Sequence, residues 1–234
     1  MTINAYKAIL NNEEDSTLGC FSEKEKDIKE KYLDTSLITN LNVFLNQKEV
    51  YIYIESADKI ITPEELFFDC LSLFIPWPDL DGRVFRPMTE IYHYNEPQSA
   101  SHWKRKTNPD YCFAKIAKII PELTSRYIFY HYQLQEEKPG FGDKYGRIYL
   151  SGDIAFYYGE YPYISEPPMH KGRLSTNNSP SGEEWQSIME KHFIMWDGYP
   201  SIDIKKYDWY ENGYPEGKLD NQWLFIKNIL SLCK

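Results

Sequence analysis

No stretch of this chain approaches the roughly 20 consecutive apolar residues that a membrane-spanning helix needs. Its first residues, Met1-Thr2-Ile3-Asn4-Ala5-Tyr6, lack the basic region and long apolar core of a secretory signal. A cytoplasmic protein with no membrane partner is the expectation. Cysteine is scarce: Cys20, Cys70, Cys112 and Cys233 lie far apart in or beside apolar surroundings, with no C-x-x-C pair to suggest zinc or dithiol chemistry. They read as reduced core thiols, Cys112 alone offering a thiolate at the start of an expected helix. The histidines His93, His102, His131, His170 and His192 are scattered, without H-E-x-x-H, H-x-H or a carboxylate at metal-ligand spacing. Gly-x-Ser-x-Gly is absent, and Gly140 to Gly146 has the glycines of a phosphate loop but no helix behind it to present amides to a phosphate. No metal site and no cofactor is expected. Basic excess is missing as well. The one basic cluster, Lys104-Arg105-Lys106, is short and reads as a solvated loop, so nucleic acid is disfavoured as a partner.

What remains can build a core: 42% of the 234 residues are hydrophobic and 26% charged, the balance of an ordinary globular protein long enough to bury most of its apolar surface. Elements follow in mixed order, so the expected class is a single α+β domain. It would have a mixed or antiparallel sheet, helices mainly on one face, and a possible loop-rich subregion over 159–234. Ser22 and Glu25 have capping-box spacing before a helix over Glu23–Leu33, and Ser36–Asn46 reads as a second helix. Lys48–Glu55 is a strand. Thr62-Pro63-Glu64-Glu65 opens a helix with Thr as N-cap and Pro at its first position. Met88–Tyr94 is a strand, and Asn108-Pro109-Asp110 caps a helix whose stripe is Phe113, Ile116, Ala117 and Ile120. The aromatic alternation of Arg126 to Tyr158 then predicts a β-meander: a strand over Tyr127–Leu134, a turn at Lys138–Asp143, a strand over Tyr145–Leu150, a tight turn at Ser151-Gly152-Asp153 and a return over Ile154–Tyr158. No repeat is visible at periods of about 20 to 50 residues.

The net charge is −9, and two segments account for it. Acids outnumber bases eight to four in Asn11–Asp34 and nine to four in Glu183–Asp220. If those segments met they would form one negative face, which repels nucleic acid and attracts a basic protein. Within the second segment, acids alternate with large aromatics in glycine-punctuated loops, the composition of a recognition surface with rigid anchors and polar tips. Asp197, Tyr199, Asp208, Trp209, Tyr210 and Glu211 are the candidate partner-binding residues. A carbohydrate platform would use the same residues, so the surface selects binding over catalysis without naming the ligand, and no catalytic residue is assigned.

As a whole, a small acidic α+β chain with an aromatic meander and no catalytic signature resembles the immunity proteins of bacterial polymorphic toxin systems, and its Tyr127–Glu137 run ahead of Gly142-Asp143-Lys144-Tyr145-Gly146 also resembles uncharacterised bacterial proteins. The first resemblance implies a cytoplasmic, non-catalytic protein that neutralises a basic toxin domain by binding to it. The alternative is a hydrolase using His131 with Glu136 or Asp143, because a histidine beside a carboxylate is the minimal general-base unit.

Overall fold

The computed structural model describes residues 1–11, 15–137, 140–169, 171–176, 178–180 and 182–234. Asn12, Glu13 and Glu14 of the first acidic segment, Lys138 and Pro139 of the expected turn, His170, Asn177 and Ser181 therefore lie outside the described residues. The main elements are β1 (Thr2–Ile9), α1 (Asp15–Ile28), β2 (Ile38–Asn46), β3 (Glu49–Ser56), α2 (Pro63–Leu66), β4 (Arg86–Pro87), β5 (Thr89–His93), β6 (Tyr111–Ile119), α3 (Thr124–Glu137), β7 (Arg147–Ser151), β8 (Ile154–Tyr161), α4 (Gly182–Met189), α5 (Trp209–Asn212) and β9 (Trp223–Cys233). The class is α+β with largely antiparallel pairing. Contacts cluster into two compact units, one of Met1–Thr89, Pro97–Cys112 and Lys227–Lys234, the other of Glu90–Glu96 and Phe113–Ile226.

In the first unit the strand order is β4-β1-β3-β2, with Lys227–Cys233 of β9 added antiparallel to β2. The element order β-α-β-β-α-β with this strand order is the split β-α-β arrangement of ferredoxin-like folds. Period two sorts the strands: Tyr6, Ala8 and Leu10, Leu41, Val43 and Leu45, and Val50, Ile52 and Ile54 pack with Phe21 and Ile28 of α1 and with Phe67, Cys70 and Phe74 in one cluster. Thr62 caps α2 with a complete capping box to Glu65 and Pro63 behind it, as its sequence predicts. The alternate residues of β2 and β3 are buried too, and there Glu55 takes both guanidinium nitrogens of Arg105 at 2.8 and 3.0 Å and the Tyr53 hydroxyl at 2.9 Å. Arg105 is thus a core residue, 6% exposed, where a solvated loop is expected.

In the second unit the order is β9-β6-β8-β7-β5, of which the first four repeat the pattern of the first unit. The first three elements also repeat in spacing: β6, α3 and β7 begin 109 residues after β1, α1 and β2, at Tyr111, Thr124 and Arg147 against Thr2, Asp15 and Ile38. The β7–β8 hairpin pairs Ser151 with Ile154 around Gly152, whose φ of +62° only glycine adopts without strain.

Several expectations are corrected. Tyr127–Leu134 is helical, inside α3, so the meander loses its first strand and only the β7–β8 hairpin stands. Tyr127, His131 and, in part, Ile128 and Leu134 face inward at helical spacing, while Phe129 and Tyr132, 57% and 39% exposed, occupy the outer face and disguise the period. Residues 111–119 form a strand, not a helix, because β6 is covered on both faces and its apolar residues do not alternate. Residues 38–46 are a strand joined to β3 by a two-residue turn at Gln47-Lys48, with Gln47 at φ +54° and no glycine or Asn-Gly to announce it. Ser22 lies inside α1, which starts at Asp15, and so does not stand at the N-terminus of a helix. Finally, Cys20 and Cys70 form a disulfide between α1 and the 3-10 turn Phe68–Leu73, leaving only Cys112 and Cys233 as thiols. Cys112 sits in β6 and is buried, not at the start of a helix.

Candidate functional site

Among the described residues no helix is long and apolar enough to cross a membrane, and no group of three or more His, Cys, Asp and Glu is placed to hold a metal ion. Three features of the second unit carry polar chemistry: a tyrosine-rich surface around α5, a cavity beside α3 and an ion network around Glu90.

The surface is built on α5. Asp208 Oδ1 accepts from the amides of Tyr210 at 2.8 Å and Glu211 at 3.1 Å, which fixes the helical turn. That turn drives Trp209 inward and Tyr210 outward. Trp209, 2% exposed, stacks on Tyr161 with centroids 4.7 Å apart and planes 13° from parallel, and it lies 5.1 Å from Phe113. Tyr210 is 66% exposed and rests 5.7 Å from Tyr161; Tyr163, 46% exposed, lies 5.8 Å from Tyr161 on an edge. Burial, Asp143 and Tyr161 together push the Tyr163 phenol up to about 12, so it stays a neutral donor at any physiological pH. Asp208 and Glu211 are exposed beside these rings. Asp197 is exposed and Tyr199 half-buried, its ring edge-on to Trp196 at 6.0 Å; neither shares a hydrogen bond, ion pair or ring contact with the 208–211 turn among the described residues. Of the six residues that the sequence selects, four are therefore one local constellation and two belong to another loop. Tyr161 and Tyr163 were not selected. Their signal is the Tyr161-Pro162-Tyr163 spacing, legible only once the chain is folded back on α5.

The two acidic segments fall in different units, Asp15–Asp34 in the first and Glu183–Asp220 in the second.

The cavity has a volume of about 240 Å³, and its walls include Lys115, His131, Tyr157, Trp185, Gln222 and Trp223. His131 is 5% exposed and among the described residues makes one hydrogen bond, 2.9 Å to the Tyr127 carbonyl, which places the proton on Nδ1 and leaves Nε2 as an acceptor. Burial lowers its pKa to about 4, more than the Tyr127 carbonyl raises it. Neither expected carboxylate partners it. Glu136 Oε2 accepts from the Arg173 amide at 2.8 Å, and Asp143 accepts from the Tyr157 hydroxyl at 2.9 Å and the Tyr145 amide at 3.2 Å. Burial raises the Asp143 pKa against the pull of these hydrogen bonds and of Lys115. A third cluster, nearer the unit's edge, joins Arg147 to Glu90 at 2.6 Å and His93 to Glu90 at 2.5 Å and Glu96 at 3.0 Å. Burial pushes Glu90 up, but Arg147 and His93 outweigh it and hold the carboxyl at about 2, the signature of a structural ion network.

No family model matches this chain, and no curated protein matches it. A solved structure that is similar is a crystal structure from Fusobacterium nucleatum subsp. nucleatum named "Putative monooxygenase", 8% identical, covering 99% of this chain and 94% of that one with a TM-score of 0.43. At that level the likeness bears on neither activity nor substrate.

Proposed function

We propose that this protein is a non-catalytic binding protein that neutralises a basic protein, of the toxin-domain class, through the Tyr161–Tyr163–Tyr210 surface and the carboxylates of Asp208 and Glu211. The observation that carries this reading is Tyr210, two-thirds exposed yet held on the stack of half-buried Tyr161 against buried Trp209. A large apolar ring kept in water by a rigid support is preorganised contact area, and such rings dominate binding energy while neighbouring charges set the association rate. Asp197 and Tyr199, on the separate 196–200 loop, belong to the rim of the same contact in this reading. The net charge of −9 favours a basic partner. A hydrolase built on His131 with Glu136 or Asp143 has less support, since His131 bonds neither carboxylate and is neutral near pH 7.

The test is capture from the native cell with the immobilised chain at about 0.05 M and about 0.5 M salt, where the Debye length falls from above 10 Å to about 4 Å. A basic protein retained at low salt by the wild type and lost from Tyr210→Ala supports the reading. Retention that neither salt nor the Tyr210→Ala, Tyr163→Ala pair alters would remove it.

A further inference from the structure

The cavity of the second unit is where the two units, alike in topology, part company. In the first unit the core-facing residues of β1 are Tyr6 and Ala8, continued by Leu10 just after it, all packed into the core. At the same 109-residue spacing the residues of β6 are Lys115, Ala117 and Ile119, of which Ala117 and Ile119 keep the core role. Where Tyr6 is 4% exposed in close packing, Lys115 borders about 240 Å³ of open space.

A lysine on the covered face of a strand needs an explanation. Its Nζ sits 4.4 Å from the Tyr157 ring centroid and 5.7 Å from those of Trp223 and Phe225, so aromatic faces stabilise the ammonium. It makes no hydrogen bond and no ion pair among the described residues; Asp143 and Asp220 act on it only through space. Gln222 on the same cavity is 4% exposed, and its side-chain amide is likewise without a hydrogen-bond partner among the described residues. A half-buried amine and the amide side chain of a residue that is 4% exposed, both without a hydrogen-bond partner among the described residues, face one small aromatic-walled space, which is the form ligand sites usually take.

Independently of the surface reading above, we infer that this cavity binds a small, flat aldehyde or ketone, which the Lys115 amine captures as an imine while Gln222 contacts the carbonyl oxygen and Tyr157, Trp185 and Trp223 wall the apolar body. The nitrogen lone pair attacks the carbonyl carbon, a carbinolamine forms, and the oxygen leaves as water with the two protons that the ammonia-like nitrogen gives up. Amine and carbonyl become imine and water, with no oxidant, reductant or further reactant. An anion is the poorer occupant, because Asp143 and Asp220 already offset the lysine charge. Burial lowers the Lys115 pKa to about 8 against the upward pull of Asp143 and Asp220, so near neutral pH more of the molecules carry the neutral nucleophile than would be the case for an ordinary lysine.

The test uses the full chain, benzaldehyde as the probe and cyanoborohydride to trap the imine, with peptide mass mapping of every lysine over a series of aldehyde concentrations at pH 7.5. Labelling of Lys115 at least tenfold faster than of Lys206, whose side chain is 86% exposed, and saturating with benzaldehyde, is the expected result. Labelling of Lys115 no faster than Lys206, or rising linearly without saturation, would overturn the site. Trp185→Leu, a wall residue that is only half-buried, should raise the half-saturating concentration several-fold while leaving Lys206 labelling unchanged. An unchanged saturation curve in that variant, folded by circular dichroism, would also count against the cavity.

Discussion

Replacing Trp209 with alanine separates a core role from a contact role, and the two predict opposite outcomes. Trp209 is 2% exposed and touches the rings of Tyr161, Phe113, Tyr207, Phe225 and Tyr214 at centroid distances of 4.7, 5.1, 6.0, 6.2 and 6.4 Å. Its removal loses the transfer energy of a large side chain and leaves a cavity that five rings cannot close, which costs about 3–5 kcal/mol. Tyr210, its neighbour in sequence, is 66% exposed, so Tyr210→Ala should change stability by only about 0.5 kcal/mol. In urea, with a slope near 2 kcal/mol per molar, the Trp209→Ala midpoint should fall by about 2 M and the Tyr210→Ala midpoint should hardly move. Following both fluorescence and far-ultraviolet circular dichroism checks that one transition is being read. Equal midpoints for the two variants would refute the placement of Trp209 in the core. Faster partner dissociation is accordingly expected of Tyr210→Ala, whose ring is the one in water.

Three further outcomes follow from the same kind of reasoning. Reducing the Cys20–Cys70 disulfide, which closes a 50-residue separation, should cost about 4 kcal/mol on the chain-entropy account; thiol titration that finds four free cysteines in the untreated protein, or a urea midpoint indifferent to reductant, would contradict it. Arg105→Met strands the Glu55 carboxylate, which is fully buried, and should destabilise by about 3–5 kcal/mol, while Arg105→Met with Glu55→Met recovers much of that loss; the comparison of urea midpoints decides. For His131 the folded pKa is lowered to about 4 from 6.5 by burial, so the unfolded chain takes up its proton first. Its contribution is complete above pH 6.5 and lost as pH falls through 4, about 3 kcal/mol in all, and a wild-type profile as flat as that of His131→Phe between pH 7 and 4.5 would sink this reasoning.

The legible parts of the fold are those where local chemistry and tertiary packing agree. The capping box at Thr62, the Gly152 hairpin and the strands near 48–55 and 88–94 each combine a propensity with the periodicity it needs, and the structure keeps them. Elements buried on both sides are misread. β6 and β2 lack alternation because both faces are covered, and α3 lacks a clean helical stripe because it exposes Phe129 and Tyr132. Single-sequence periodicity assumes one wet face. The same assumption explains the disulfide: 50 residues separate Cys20 from Cys70, and only the docking of the 3-10 turn on α1 brings them within bonding reach.

The candidate sites divide along the same line. Acids and tyrosines in a glycine-punctuated loop are legible as a surface because exposure is their default, and Asp208, Tyr210 and Glu211 are exposed. Which aromatic of the loop is anchor and which is support depends on the phase of a four-residue helix, set by the Asp208 cap, and no composition argument reaches that far. Lys115 is the converse case. In sequence it is one lysine among twenty, and a charged residue ordinarily marks a wet face. Its position becomes informative only against the other unit, where the matching strand position holds Tyr6. Two copies of one topology, one with a closed core and one with an amine opening onto a cavity, isolate the difference that packing does not require. A core that needed only stability would have filled that position, as the first unit does, so the lysine is best explained by what the cavity receives.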